Sequence, residues 1–295
     1  MKRIGSLEVS RVGLGCNNFG RRVDLGAARA VIDAALDAGV TFFDTADTYG
    51  NGESERFIGE ALQGRRERVV LATKFGHDMG YGDGPRGRPE YVRLALDKSL
   101  ERLRMDHVDL LYYHRPDGVT PLAETIGAME ELRDAGKTRE IACSNLDVSQ
   151  LREVGGRIAA LQNHYSLLHR EPEQEILPLC AELGVAFVPY FPLASGLLTG
   201  KYRRGEAAPQ GSRLDGSDRL TDETFAEVER LDAFAHERGH TLLELAISAL
   251  ASQPAVASVI AGATRPEQVR ANAAAGEWEL TPDELDELAR VGSPA

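Results

Sequence analysis

Eight short apolar runs rich in valine, isoleucine and phenylalanine recur along the chain, near residues 11–16, 42–46, 69–74, 108–114, 139–144, 158–163, 185–191 and 258–262. Between them lie longer stretches of helical period, near 24–38, 54–63, 89–104, 121–135, 147–154, 172–183, either 224–238 or 241–252, and 265–275. Each helix returns the chain to the start of the next strand, so the strands run parallel, and eight such units close into a (β/α)8 TIM barrel. Pro89 and Pro266 fall at first turns of helices, and Gly39, Gly136 and Gly184 fall where helices should end. Residues 2–9 read as a short N-terminal β-hairpin turning at Gly5-Ser6, and Thr281-Pro282-Asp283-Glu284-Leu285 reads as a capped extra C-terminal helix outside the barrel. Barrels of this kind routinely run to this length as one unit, so residues 1–295 are expected to form a single domain.

Three of the apolar runs stop at an ionisable residue. Phe42-Phe43 halts at Asp44, with Tyr49 five residues later; Val69-Val70-Leu71-Ala72-Thr73 halts at Lys74; Val108 to Tyr113 halts at His114. Singly, each has an ordinary explanation, since aspartate often caps a helix, tyrosine packs and lysine is solvated. Together they stand at the same end of successive strands, which is where barrel enzymes carry their chemistry. A carbonyl that accepts hydride needs a proton donor and stabilisation of charge at its oxygen. Tyr49 can give the proton, Lys74 is expected to lower its pKa, Asp44 to hold Lys74, and His114 to orient the oxygen. Hydride itself must come from a cofactor, because no side chain supplies it.

A net charge of −12 without a basic run or basic helix face argues against nucleic acid as a partner. No apolar stretch approaches a membrane span and the first residues lack the apolar core of a signal peptide, so a cytoplasmic protein without membrane contact is expected. Cys16, Cys143 and Cys180 are too few and too scattered for a disulfide framework or a thiolate metal site, and no metal is expected. Gly13-Leu14-Gly15-Cys16-Asn17-Asn18-Phe19-Gly20 has the wrong spacing for a dinucleotide fingerprint. Two long polar loops, 76–88 with six glycines and prolines in thirteen positions and 199–222, are candidates for lids or binding loops.

From Gly13-Leu14-Gly15 to Asn272 the chain resembles the aldo-keto reductase family. The resemblance rests on Asp44-Thr45-Ala46-Asp47-x-Tyr49-Gly50-x-Gly52-x-Ser54-Glu55, Ala72-Thr73-Lys74, His114-Arg115-Pro116-Asp117 and Ser144-Asn145. It implies a catalytic tetrad of Asp44, Tyr49, Lys74 and His114 and reduction of aldehydes or ketones to alcohols with Tyr49 as general acid, or the reverse reaction with Tyr49 as base. It also implies NADPH (NADP+) bound on the barrel. Ser144, Asn145 and Gln162 match positions that hold the nicotinamide amide, and Tyr190 matches the aromatic that stacks on its face. Leu193, Ser195 and Lys201 match the segment around the pyrophosphate. Gly262, Arg265, Gln268 and Asn272 match the adenosine motif, in which Ala261 replaces a common proline and Thr264 stands where many members have arginine. Phe19, Phe75, His77, Tyr112 and Phe191 are candidates for an aromatic pocket around a small-molecule carbonyl substrate.

Two other readings are distinct in class. One is an NADPH-binding regulatory subunit resembling the potassium-channel beta subunits, which keep this fold and tetrad while serving a partner. The other is a Schiff-base enzyme with Lys74 as nucleophile, which needs a neutral lysine, whereas Asp44 should keep it charged.

Overall fold

The computed structural model describes residues 2–291. Strands β1 (Lys2–Ile4) and β2 (Leu7–Val9) pair antiparallel across Gly5-Ser6. There follow β3 (Val12–Gly15), α1 (Leu25–Asp37), β4 (Phe42–Asp44), α2 (Glu53–Ala61), β5 (Val70–Phe75), α3 (Pro89–Leu103), β6 (Val108–Tyr113), α4 (Leu122–Asp134), β7 (Thr138–Ser144) and α5 (Val148–Val154). The chain continues through β8 (Ala160–Gln162), α6 (Ile176–Leu183), β9 (Ala186–Phe187), α7 (Asp222–His236), α8 (Leu242–Ala251), β10 (Val259–Gly262), α9 (Pro266–Ala274) and α10 (Pro282–Val291).

The eight strands β3 to β10 lie in the order β10-β3-β4-β5-β6-β7-β8-β9, all neighbours parallel. Phe187 of β9 exchanges backbone hydrogen bonds with Ala255 (2.7 Å) and Ala257 (2.9 Å), which brings the last strand to the segment leading into β10. The architecture is the (β/α)8 barrel expected. Alternation along β5 shows how it is built: Ala72 points into the barrel while Leu71 and Phe75 pack outward under the helices. Inside, Ala72, Ala142 and Ala160 leave room for Phe42 and Tyr112. Below them Ile4, Leu7 and Val9 of the hairpin fill the bottom of the barrel, each buried side chain contributing about 1.5–3 kcal/mol. Lys2 fastens the hairpin there, its Nζ donating to the carbonyls of Ala251 (3.0 Å), Gln253 (3.0 Å) and Val256 (2.7 Å).

Three expectations change. The sixth helix begins at Ile176, not near 172, because Glu171–Glu173 forms a separate 3₁₀ turn around Pro172. Both candidates for the seventh helix are helical: α8 is buried along almost its whole length, and α7 buries one face, Phe225, Val228, Leu231, Phe234 and Ala235. The seventh strand, expected over 185–191, keeps only two ladder residues, since Pro189 and Pro192 have no N–H to donate. Among the described residues no helix is long and apolar enough to cross a membrane.

Candidate active site

A cavity of about 460 Å³ opens at the C-terminal ends of the strands. Its floor is an ion pair. Register sets Asp44 opposite Ala72 and Lys74 opposite Tyr112, so both charged side chains enter the barrel from adjacent strands. Lys74 Nζ lies 2.5 Å from Asp44 Oδ2 and donates to the Thr45 carbonyl at 2.8 Å. Gln162 Nε2 donates to the other Asp44 oxygen at 2.9 Å. Lys74 is fully buried beneath the cavity. Burial alone would depress its pKa, but Asp44 and then Tyr49 outweigh that and raise it, so Lys74 is an ammonium and a poor nucleophile.

Tyr49 arrives on the turn after β4. Its N–H donates to the Ala46 carbonyl (3.2 Å) and its own carbonyl accepts from Ser54 (3.1 Å), tying the loop to the start of α2. Gly50 packs the same loop against the β3 loop: with φ +59° it is left-handed, and a Cβ there would come within 2.8 Å of the Phe19 carbonyl. The Lys74 ammonium is 5.1 Å from the Tyr49 ring centroid. The lowered phenol pKa expected from this neighbour is not what results: burial raises it, and the Lys74 charge reduces the rise without reversing it.

His114 follows β6, held by its N–H on the Phe75 carbonyl (2.8 Å) and by Asn145 Nδ2 on its own carbonyl (2.9 Å). Its ring meets Tyr49 edge-on at 6.1 Å and His77 at 4.6 Å. Burial, then the charges of Lys74, His77 and Arg115, push its pKa down to about 2, so the imidazole is neutral at any working pH. Asp47 belongs to the motif read in the sequence, but no role was assigned to it there. It is fully buried, neither oxygen has a side-chain hydrogen-bond partner, and burial, then the nearby Glu55 carboxylate, raises its pKa to about 8.

On the β7–β9 side, polar side chains bind one another into a fixed group. Ser144 Oγ donates to the Gln162 carbonyl (2.7 Å), Asn145 Nδ2 also reaches Ser144 Oγ (3.0 Å), and Tyr190 Oη donates to Asn145 Oδ1 (2.8 Å). The Tyr190 ring lines the cavity and is backed by His164, parallel at 5.6 Å, with His169 stacked behind that at 3.8 Å. Leu193, Ser195 and Lys201 also line the cavity, around Gly196. Gly196 (φ +95°) is left-handed, and a Cβ there would lie 2.6 Å from Lys201 Nζ. After β10, Gly262, Gln268 and Asn272 line the far end, with Gln268 Oε1 accepting from the backbone (2.8 Å) and hydroxyl (3.1 Å) of Thr264.

The structure does not bring every candidate to the cavity. Arg265 is exposed outside the lining; it precedes Pro266 in extended conformation (φ −146°, ψ 150°), and Thr264 takes the inward position instead. Phe19 and Phe75 are buried outside the barrel wall, Phe75 stacked on Tyr113 at 5.2 Å. Tyr112 is buried inside the barrel beside Lys74, its ring 5.7 Å from Lys74 Nζ, and does not line the cavity. His77 and Phe191 do line the cavity.

Positive charge gathers here beyond what was foreseen. Arg213, from the long loop 199–222, donates to Asn18 Oδ1 (3.0 Å) and Asn17 Oδ1 (3.3 Å), and burial, then Arg22 and Arg21, lowers its pKa. Arg21, Arg22 and Arg115 complete the set. Elsewhere arginines such as Arg102 and Arg238 are paired with carboxylates; among the described residues these four have no such partner. The available signal was the Asn17-Asn18 and Arg21-Arg22 pairs after the first strand. Cationic donors, a fixed group of polar side chains and an aromatic face suit a nicotinamide dinucleotide.

The sequence profile of the Aldo/keto reductase family matches residues 11–292. A protein of Oryza sativa subsp. japonica described as a probable voltage-gated potassium channel subunit beta is 38% identical, over 97% of this chain and 93% of its own length. One of the same description from Arabidopsis thaliana is 37% identical over 97% and 93%. Among solved structures, the aldo-keto reductase AKR11C1 from Bacillus halodurans in its holo form superposes with a TM-score of 0.83 at 34% identity, covering 98% of this chain and 94% of that one.

Proposed function

The chain belongs to the aldo/keto reductase family of oxidoreductases, and from that premise we propose that it reduces aldehydes or ketones to alcohols with NADPH, Tyr49 supplying the proton. The observation that carries the reading is the buried Lys74–Asp44 pair under Tyr49, with a neutral His114 beside it. Carbonyl, NADPH and one proton give alcohol and NADP+, the cofactor supplying the hydride when bound.

The chain's residues do the rest. Tyr49, kept protonated by burial, gives its proton to the carbonyl oxygen. The Lys74 ammonium stabilises the phenolate left behind, and Asp44 with Gln162 fixes Lys74 so that this charge needs no reorganisation. Neutral His114 donates a ring N–H to the same oxygen and fixes its approach. Ser144, Asn145 and Gln162 would hold the nicotinamide amide and Tyr190 its face. Leu193, Ser195, Lys201 and Arg213 would hold the phosphates, and Gln268 and Asn272 the adenosine. The unpaired cations Arg21, Arg22 and Arg213 favour the extra phosphate of NADPH over NADH.

A second reading has its own support: relatives 37–38% identical across almost the whole chain are described as probable channel subunits, so the site could serve a partner while binding cofactor. Fluorescence titration with NADPH and NADH, followed by turnover of aromatic aldehydes, separates the two. The reductase reading expects Tyr49→Phe to lose at least about a hundredfold in kcat while NADPH still binds. Tight NADPH binding with no turnover by the wild type favours the regulatory reading, and no binding sinks both.

A further inference from the structure

We infer that Arg115 forms an anion-binding subsite at the substrate end of the cavity, so that the preferred carbonyl substrates carry a carboxylate. The inference rests on the reductase reading and deepens it.

The chain carries a net charge of −12, yet Asp44 is the only carboxylate residue among those lining the cavity, and Lys74 and Gln162 already occupy it. The lining cations divide by position. Arg21 and Arg22 follow β3, and Lys201 and Arg213 follow β9; both segments flank the end of β10, where Gln268 and Asn272 stand. Those four face the places proposed for the cofactor's phosphates. Arg115 follows β6, four strands away from β10 in a barrel of eight, and so stands across the mouth from them.

Its surroundings are those of the reacting groups. Arg115 is the residue after His114, and its charge acts on His77, His114 and Tyr190. Burial, then Arg115, lowers the His77 pKa, so His77 is neutral near pH 7 and Arg115 is the permanent charge on that wall. The nearest carboxylate in sequence, Asp117, is not its partner. Asp117 Oδ2 accepts from the Gly87 N–H (2.6 Å), and its Oδ1 accepts from the N–H groups of Val119 (2.9 Å) and Thr120 (2.8 Å). Phe191, 44% exposed at the rim, offers an apolar face for the body of such a substrate. A carbonyl held between Tyr49 and His114 would thus direct its substituent toward an unpaired guanidinium, the geometry that recognises carboxylate.

The test uses benzoate as a probe of NADPH-bound protein, followed by cofactor fluorescence, together with kcat/KM for 4-carboxybenzaldehyde and its uncharged near-isostere 4-nitrobenzaldehyde. Arg115→Gln is expected to weaken benzoate about tenfold and to lower the carboxy-to-nitro ratio by a similar factor, mainly through KM, with Arg115→Lys recovering part of both. Added salt should lower the ratio in the wild type. Benzoate affinity and ratio unmoved by Arg115→Gln, with both aldehydes still reduced, overturns the subsite and leaves the reductase intact. Weakened benzoate binding in the variant, with neither aldehyde reduced by the wild type, supports the subsite and overturns the reductase.

Discussion

The two walls of the cavity are built differently. Asp44, Lys74 and His114 stand at the ends of β4, β5 and β6, where ladder register and buried hydrogen bonds fix each backbone. The facing wall, from Tyr190 through Lys201 to Arg213, has almost no ladder: Phe191, Ala194 and Ser195 are non-glycine residues held at φ of 56°, 46° and 62°. Each such residue stores roughly 1 kcal/mol or more of strain that packing must offset. The difference teaches a division of labour. Asp44, Lys74 and His114, the groups that set the surroundings of the proton donor, sit at strand ends that cannot shift without breaking a sheet, and Tyr49 rides on a turn tied between β4 and α2, whereas the binding groups from Tyr190 to Arg213 sit on turns that long side chains span.

Lys74→Met breaks the rigid wall hardest. It leaves Asp44 buried, with Gln162 as its remaining side-chain donor, so a loss of about 3–5 kcal/mol in folding stability is expected from denaturant melts. Turnover should fall by a hundredfold or more, because Tyr49 loses the charge that stabilises its phenolate. Asp44→Asn, which keeps a hydrogen-bond acceptor for Lys74, should cost less in stability. Equal costs for the two would show that the pair is not what organises the floor.

Asp47 tests the same wall through pH. A carboxyl whose folded pKa is raised to about 8 keeps its proton in the native state over a range where the unfolded chain has lost it. Its contribution to stability is therefore fully present below the ordinary carboxylate range and is lost as pH rises toward 8. The slope cannot exceed about 1.4 kcal/mol per pH unit for one proton. Asp47→Asn should flatten the fall of Tm between pH 5 and 8 and match or exceed the wild type at pH 8. Parallel Tm curves for the two proteins would mean that Asp47 is ionised in the fold.

How much of this was legible in the sequence follows the same division. Strand ends announce themselves, because an apolar run has to stop where a charge begins, and that placed Asp44, Lys74 and His114 together. Side-chain direction was harder. Phe75 adjoins Lys74 but, with period two, faces the other way; Tyr112 faces inward but is fully buried beside Lys74 and does not reach the cavity. In the loop wall nothing periodic remains to read. Arg213 reaches Asn17 and Asn18 across 195 residues or more of sequence, and the turn of Arg265 away from the cavity depends on a local rotation at Pro266. The two helices before β10 were ambiguous for a related reason: helical period marks an amphipathic face without saying whether barrel or helix covers it.

Gly196→Ala probes the compliant wall with the smallest change. The added methyl needs a left-handed backbone at φ +95°, where alanine is strained by about 1 kcal/mol, and it meets the end of Lys201 at 2.6 Å from Nζ and 2.7 Å from Cε. Because those atoms end a flexible side chain, Lys201 can swing aside instead of the barrel shifting. Stability should therefore fall only slightly, with Tm down a few degrees, while NADPH affinity falls about tenfold as Lys201 leaves the place proposed for the phosphates. With NADPH saturating, turnover should be affected less than binding, since the floor under Tyr49 is untouched. A variant that loses turnover as severely as Lys74→Met, with NADPH still bound, would show that the walls are coupled and that strain in the Tyr190–Lys201 segment helps to hold the reacting groups in place.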